Sequence, residues 1–173
     1  MKINKYLEDI IKKLDGFLIG IGFQDEKLLK HIEKNKKITE CYLLDCKSND
    51  SDEGKVSKIR IGRLRKKFKK NKPDYIIYNI ESIKEYKDKF VYDSLYLTNK
   101  RIYIYNQNNQ VDASAVIRRY KRYGRVEVIK CSDGVIYKIE QTKKLTKRNE
   151  FFNKNKDNII SLGDFISNLL SDS

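Results

Sequence analysis

The chain has 173 residues, enough for one domain with its own core, and its single proline and lack of a Gly/Ser-rich linker mark no boundary between two. Lys and Arg outnumber Asp and Glu by 38 to 24, a formal charge of +14, and such a surplus favours polyanionic partners: RNA, DNA or anionic lipid. Three cysteines (Cys41, Cys46 and Cys131) without a CxxC pair argue against a disulfide framework, and a lone histidine, His31, argues against the common zinc sites. Met1–Glu8 lacks the apolar segment of a signal peptide, and no apolar run approaches the roughly 18 residues of a membrane span. These features predict a cytoplasmic protein with reduced thiols and no membrane association.

Residues 3–14 place Ile3, Leu7, Ile10, Ile11 and Leu14 on one helical face, and Asp15–Gly16 ends that helix. Phe17–Ile21 is a short apolar run of the kind that forms strands covered on both faces. A turn at Gly20–Ile21–Gly22 follows, and Asp25 is placed to cap a helix from Glu26 to about Asn35. Ile38–Asp45 reads as the second strand. The polar stretch Lys47–Lys55 reads as a loop, and Val56–Ile61 as a short strand. Leu64 and Phe68 anchor a basic helix ending near Asn71, and Pro73–Asp74 stops it.

Tyr75–Ile80 is the next buried strand, residues 83–98 have helical spacing, and Ile102–Tyr105 is a further strand. Asp112 is placed to cap a helix running to Tyr123, broken by Gly124. Val126–Cys131 and Val135–Gln141, joined by Ser132–Asp133–Gly134, predict an antiparallel hairpin. A last amphipathic helix is expected over about 158–170. Alternating strands and helices predict a single-domain, Rossmann-like α/β fold. Its sheet is mostly parallel, with helices on both faces, a core of about residues 1–141 and a C-terminal antiparallel hairpin.

In such sheets ligands sit beyond the carboxyl ends of the strands. Gly20, Gly22, Asp45, Asn79 and Glu81 all fall at predicted strand ends. Glycines suit a sharp strand-to-helix turn and close ligand approach, and a carboxylate such as Asp45 can accept both hydroxyls of a ribose. This order of elements, with its late hairpin, resembles the class I S-adenosylmethionine-dependent methyltransferases. The resemblance implies that Gly20 and Gly22 are the first glycines of the family's GxGxG loop and that Asp45 is its second-strand acid. It places Asn79 where the fourth-strand motif begins, with Asn79 and Glu81 as candidate catalytic residues and S-adenosylmethionine as cofactor.

Leu18, Gln24 and Ile80–Glu81 stand where that family has an acid, a third glycine and two prolines. These departures keep open a non-catalytic binding or scaffold module on the same fold. A nicotinamide-binding Rossmann domain fits less well, because Asp25 would repel a pyrophosphate at the helix amino end.

Two basic clusters are candidate nucleic-acid contacts, with RNA preferred over DNA. The first, within Arg60–Lys72, is expected to expose Arg63, Arg65, Lys66, Lys67, Lys69 and Lys70. The second contains Arg118, Arg119, Lys121, Arg122 and Arg125. Its interleaved Tyr120 and Tyr123 are candidates either to stack on unpaired bases or to pack on the sheet.

Overall fold

The computed structural model describes residues 4–23, 26–44, 51–53, 56–59, 64–81 and 87–145. Helix α1 (Lys5–Lys13) starts where the Asn4 side chain accepts the Tyr6 N–H at 2.8 Å. Glu8 in its first turn and Lys12 and Lys13 in its last complement the helix dipole, and Leu7 and Ile11 supply the buried face. Strand β1 (Gly16–Ile21) follows, then α2 (Glu26–Lys34) and β2 (Ile38–Leu44). Within the stretch expected to be a loop, Ser51–Glu53 is strand β3, paired antiparallel with β4 (Val56–Ile59). The polar composition hid it because a short edge strand needs no apolar face.

Helix α3 (Leu64–Phe68) ends before the expected Asn71, with Leu64 and Phe68 buried. Then come β5 (Tyr75–Asn79), α4 (Lys87–Leu97), β6 (Arg101–Gln107) and α5 (Ser114–Lys121). At the start of α5 the Asp112 side chain accepts the Ser114 N–H at 2.9 Å. β7 (Gly124–Cys131) and β8 (Gly134–Gln141) form the predicted hairpin. Cys131 pairs with Gly134, which leaves Ser132–Asp133 as a two-residue loop. The helix expected over about 158–170 lies outside the described residues, as do Gln24, Asp25, Asp45, Cys46 and Arg63.

All eight strands form one sheet in the order β3-β4-β2-β1-β5-β6-β8-β7. β4, β2, β1, β5 and β6 are mutually parallel, and β8 runs antiparallel to both β6 and β7. Alternation along the strands divides the core in two. Ile19, Ile21, Ile76, Tyr78, Ile102 and Ile104 meet α3, α4 and α5 on one face. Leu18, Leu43, Ile77, Tyr103 and Tyr105 meet α1 and α2 on the other. Strands buried on both faces explain the unbroken apolar runs. Truncating a fully buried residue such as Ile19 to Ala would cost about 2–5 kcal/mol.

The amino ends of β1 and β5 are locked together. Asp74 accepts the Phe17 N–H through Oδ2 at 2.9 Å, and its own N–H donates to the Phe17 carbonyl. Gly16 lies at φ +94°, where a Cβ would fall 2.2 Å from Asp74 Oδ2, so glycine is required there for conformation and space alike. Cys41 is a buried free thiol and Cys131 a partly buried one. Among the described residues no helix is long and apolar enough to cross a membrane, and no group of three or more His, Cys, Asp and Glu is arranged to hold a metal.

Candidate active site and basic surfaces

From β1 the chain passes outward to β2 and β4, then returns to β5 on the other side of β1. Strand order therefore reverses between β1 and β5, and beyond the carboxyl ends at such a reversal α/β sheets place their ligand crevice. Gly22 follows the carboxyl end of β1 with φ +76°, and its N–H donates to the Leu44 carbonyl at 3.0 Å. That bond ties the turn after β1 to the end of β2, and the left-handed backbone explains why the residue is glycine.

Gly20 precedes the turn and is not part of it. It lies inside β1, paired in register with Leu43 and Ile77, and a Cβ there would come 2.7 Å from Leu43 Cδ2. It is a packing glycine within the strand, and the turn belongs to Gly22. Leu18, at the position of the family's first acid, is 1% exposed within the α1–α2 side of the core.

On the β5 side, Asn79 ends the strand and is partly exposed, whereas Glu81 is exposed. Asn79 Oδ1 accepts the Glu81 N–H at 3.2 Å, so the amide shapes the turn leaving β5. Asp45 lies outside the described residues, and what is described at the reversal is a glycine turn after β1 and a polar strand end on β5. Those two features suit an adenosyl ligand. β1 supplies no carboxylate, and on that count the match to the family's pocket is incomplete.

The far rim is built from residues whose roles were not apparent in the sequence. Asn106 at the end of β6 is 2% exposed. Its Nδ2 donates to the Val111 carbonyl at 2.8 Å and its Oδ1 accepts the Val111 N–H at 3.5 Å, closing the loop that carries Asn108 and Asn109 at φ 52° and 50°. Asp133 in the hairpin turn accepts from Tyr105 Oη at 2.7 Å and from Asn4 Nδ2, while its carbonyl accepts the Asn108 N–H. Burial, reinforced by Asp133, pushes the Tyr105 phenol well above its ordinary range, so it stays protonated as the donor.

The two basic clusters differ from the expectation in part. Lys66, Lys67, Lys69 and Lys70 are exposed. Arg65 is not largely exposed: its guanidinium stacks 4.0 Å from the Tyr96 ring centre and lies 3.7 Å from Asp93. Asp93 is buried, and a buried carboxylate draws the nearest cation inward. In the second cluster Arg118 and Arg122 are exposed, while Arg119 is half-buried and donates to Tyr92 Oη at 3.2 Å.

Tyr120 and Tyr123, 0% and 6% exposed, pack on the sheet and are closed to base stacking. Tyr78 Oη donates to Tyr120 Oη at 2.9 Å, and burial pushes both phenols upward. On the β7–β8 ribbon a shallow depression of about 530 Å³ is lined by Arg125, Val126, Glu127, Lys138 and Glu140. Its charges neutralise one another: Glu140 pairs with Arg125 at 3.4 Å and Lys138 with Glu127 at 3.5 Å.

No family profile and no curated protein match the sequence. The structure does match solved ones. An O-methyltransferase family protein from Burkholderia thailandensis aligns with a TM-score of 0.53 at 9% identity, over 82% of this chain and 57% of that one. A Plasmodium falciparum protein described as a ribosomal RNA methyltransferase aligns at 0.53 and 12% identity, over 81% and 93%. A Streptococcus mutans protein described as a methyltransferase, solved in complex with SAH, aligns at 0.52 and 16% identity, over 82% and 99%. The chain thus spans a little over half the length of the first and nearly all of the other two. It has the Rossmann-like fold of the class I S-adenosylmethionine-dependent methyltransferases.

Proposed function

We propose that the chain is a small methyltransferase-like protein that takes S-adenosylmethionine into the β1–β5 crevice and passes its methyl group to nucleic acid, RNA in preference to DNA. The observation that carries this reading is the placement of the Gly22 turn and the Asn79–Glu81 rim together where strand order reverses. Similarity in fold to an RNA methyltransferase and to a SAH complex supports it.

When bound, S-adenosylmethionine supplies an electrophilic methyl group. Gly22 keeps the turn clear of side-chain bulk, and Asp45 would hold the ribose hydroxyls. Asn79, through its amide oxygen, would hold a target amino group and align it for attack, so that orientation supplies most of the acceleration. Glu81, exposed at the rim, would accept the proton released once the new bond has formed. The exposed lysines of α3 and the segment after it, with Arg118 on α5 and Arg122 just past its end, would meet phosphates.

A labelled-methyl assay on total RNA tests the proposal. Incorporation above background that falls at least tenfold in Asn79→Ala supports it, and no incorporation by the unaltered chain refutes it.

A second reading has its own observation. Leu18 is sealed in the core where the family places an acid, so one hold on the cofactor is missing. That favours a nucleic-acid-binding module without catalysis, for which the same assay gives no incorporation while RNA binding persists.

A further inference from the structure

Exposed cations cluster in the loops at the amino end of the sheet. α1, α2, α3, α4 and α5 all run from the carboxyl end of the sheet to its amino end, because each leads into a strand that starts there. Their last turns and the loops that follow converge on that amino end. Backbone hydrogen bonds stitch these loops together: Gly16 N–H to the Lys37 carbonyl at 2.9 Å, Asn99 N–H to that of Pro73 at 2.9 Å and Lys100 N–H to that of Asp74 at 3.0 Å. Across the sheet, Lys143 N–H bonds to the Tyr123 carbonyl at 3.0 Å.

Exposed cations occupy this row of loops: Lys36 and Lys37 before β2, Lys69 and Lys70 before β5, and Lys143 and Lys144 after β8. A cation in the last turn of a helix is accounted for by the helix dipole. These six lie beyond the helix ends, so the dipole does not account for them. Several acidic groups at the same end are engaged in pairs of their own: Asp15 with Tyr75 and Lys100, Glu40 with Asn71, and Glu140 with Arg101 and Arg125. At the carboxyl end the described rim carries both signs, with Lys5, Lys27, Lys89 and Lys130 set among Asp112, Asp133 and Glu81.

From this row of paired cations on adjoining loops we infer that the amino end of the sheet is a phosphate-binding face for a nucleic-acid strand. The inference rests on the nucleic-acid reading above and adds where the strand lies. From β2 to β7 the row crosses six strands, which at ~4.8 Å per gap is about 24 Å. That is long enough for several successive phosphates of a nucleic-acid strand. The crevice lies a strand length away, about 20 Å for strands of this size. The bound strand is therefore anchored at one end of the molecule, and only a segment leading around the domain reaches Asn79.

The test is fluorescence anisotropy with a labelled single-stranded oligouridylate across a salt series, with phosphatidylserine vesicles as a competing probe. Lys37→Gln/Lys70→Gln/Lys144→Gln removes three charges from the amino end. Lys5→Gln/Lys89→Gln/Lys130→Gln removes three from the other end. If each of the three lysines meets a phosphate, the first triple variant lowers the log–log salt slope by about 2 and affinity by about a hundredfold at ~0.1 M salt, at roughly 0.7 per phosphate. The second leaves both nearly unchanged. Equal losses in the two variants, with both folded by circular dichroism, overturn this placement and leave the nucleic-acid reading standing. Failure of the unaltered chain to bind the oligonucleotide, or binding to vesicles alone, overturns both.

Discussion

Replacing Tyr120 with Phe isolates one hydroxyl at the centre of the α4–α5 side of the core. Tyr78 and Tyr120 are each 0% exposed and share a 2.9 Å hydrogen bond. The substitution keeps the ring but leaves the Tyr78 hydroxyl without that acceptor, a desolvation cost of about 1–3 kcal/mol. Tyr78→Phe should cost a similar amount, since the Tyr78 ring still packs edge-on to Phe90 at 4.7 Å. Removing both hydroxyls leaves two apolar rings of matching shape, which is close to neutral.

The double variant should therefore be more stable than the sum of the singles by about 1 kcal/mol or more, beyond the ~0.3–0.5 kcal/mol scatter of independent sites. Urea unfolding with an unchanged slope measures this, and each kcal/mol should appear as about 2–4 °C in Tm. Oligonucleotide affinity of Tyr120→Phe should equal that of the unaltered chain. Additive losses in the double variant, or a loss of RNA affinity without a loss of stability, would refute the buried pair and restore a stacking role for Tyr120.

Other substitutions follow from the same packing. Gly16→Ala, forced to φ +94° against Asp74, should cost about 1–3 kcal/mol and a comparable shift in urea midpoint; a neutral result would contradict the Asp74 lock. Asn106→Ala orphans the Val111 backbone groups and should lose about 1–3 kcal/mol by the same assay. Burial, with help from Asp15, raises the Tyr75 phenol from 10.0 up to about 12. The unfolded chain gives up this proton first, so the contribution is full below about pH 10 and is lost as pH rises towards about 12. Tyr75→Phe should flatten that part of the alkaline stability profile, and an unchanged slope there would count against the linkage.

Much of the architecture was legible because its signals are local. Phe17–Ile21 and Tyr75–Asn79 are unbroken apolar runs, and only strands covered on both faces are written that way. The hairpin announced itself through Asp133–Gly134 between two β-rich segments. What escaped depends on elements far apart in the chain. Gly20 and Gly22 look alike in a GxG string, and only pairing with Leu43 and Ile77 shows that Gly20 is inside the strand.

Arginines interleaved with tyrosines read equally as a stacking surface or as an amphipathic helix. The sheet beneath α5 decides for the second. Asp133 ties together Asn4, Tyr105 and Asn108, three partners that no short-range pattern relates. The basic amino end emerges only once every helix is seen to run the same way. Summed charge indicated a polyanion but could not say which end of the molecule would meet it.

The central claim concerns the crevice between β1 and β5, and isothermal titration of the unaltered chain with S-adenosylmethionine and S-adenosylhomocysteine tests it most directly. The account predicts saturable binding of one ligand per chain, lost in a folded Gly22→Val variant whose side chain the left-handed turn cannot accommodate. Absence of heat with both ligands at millimolar concentration, or binding untouched by Gly22→Val, would contradict it.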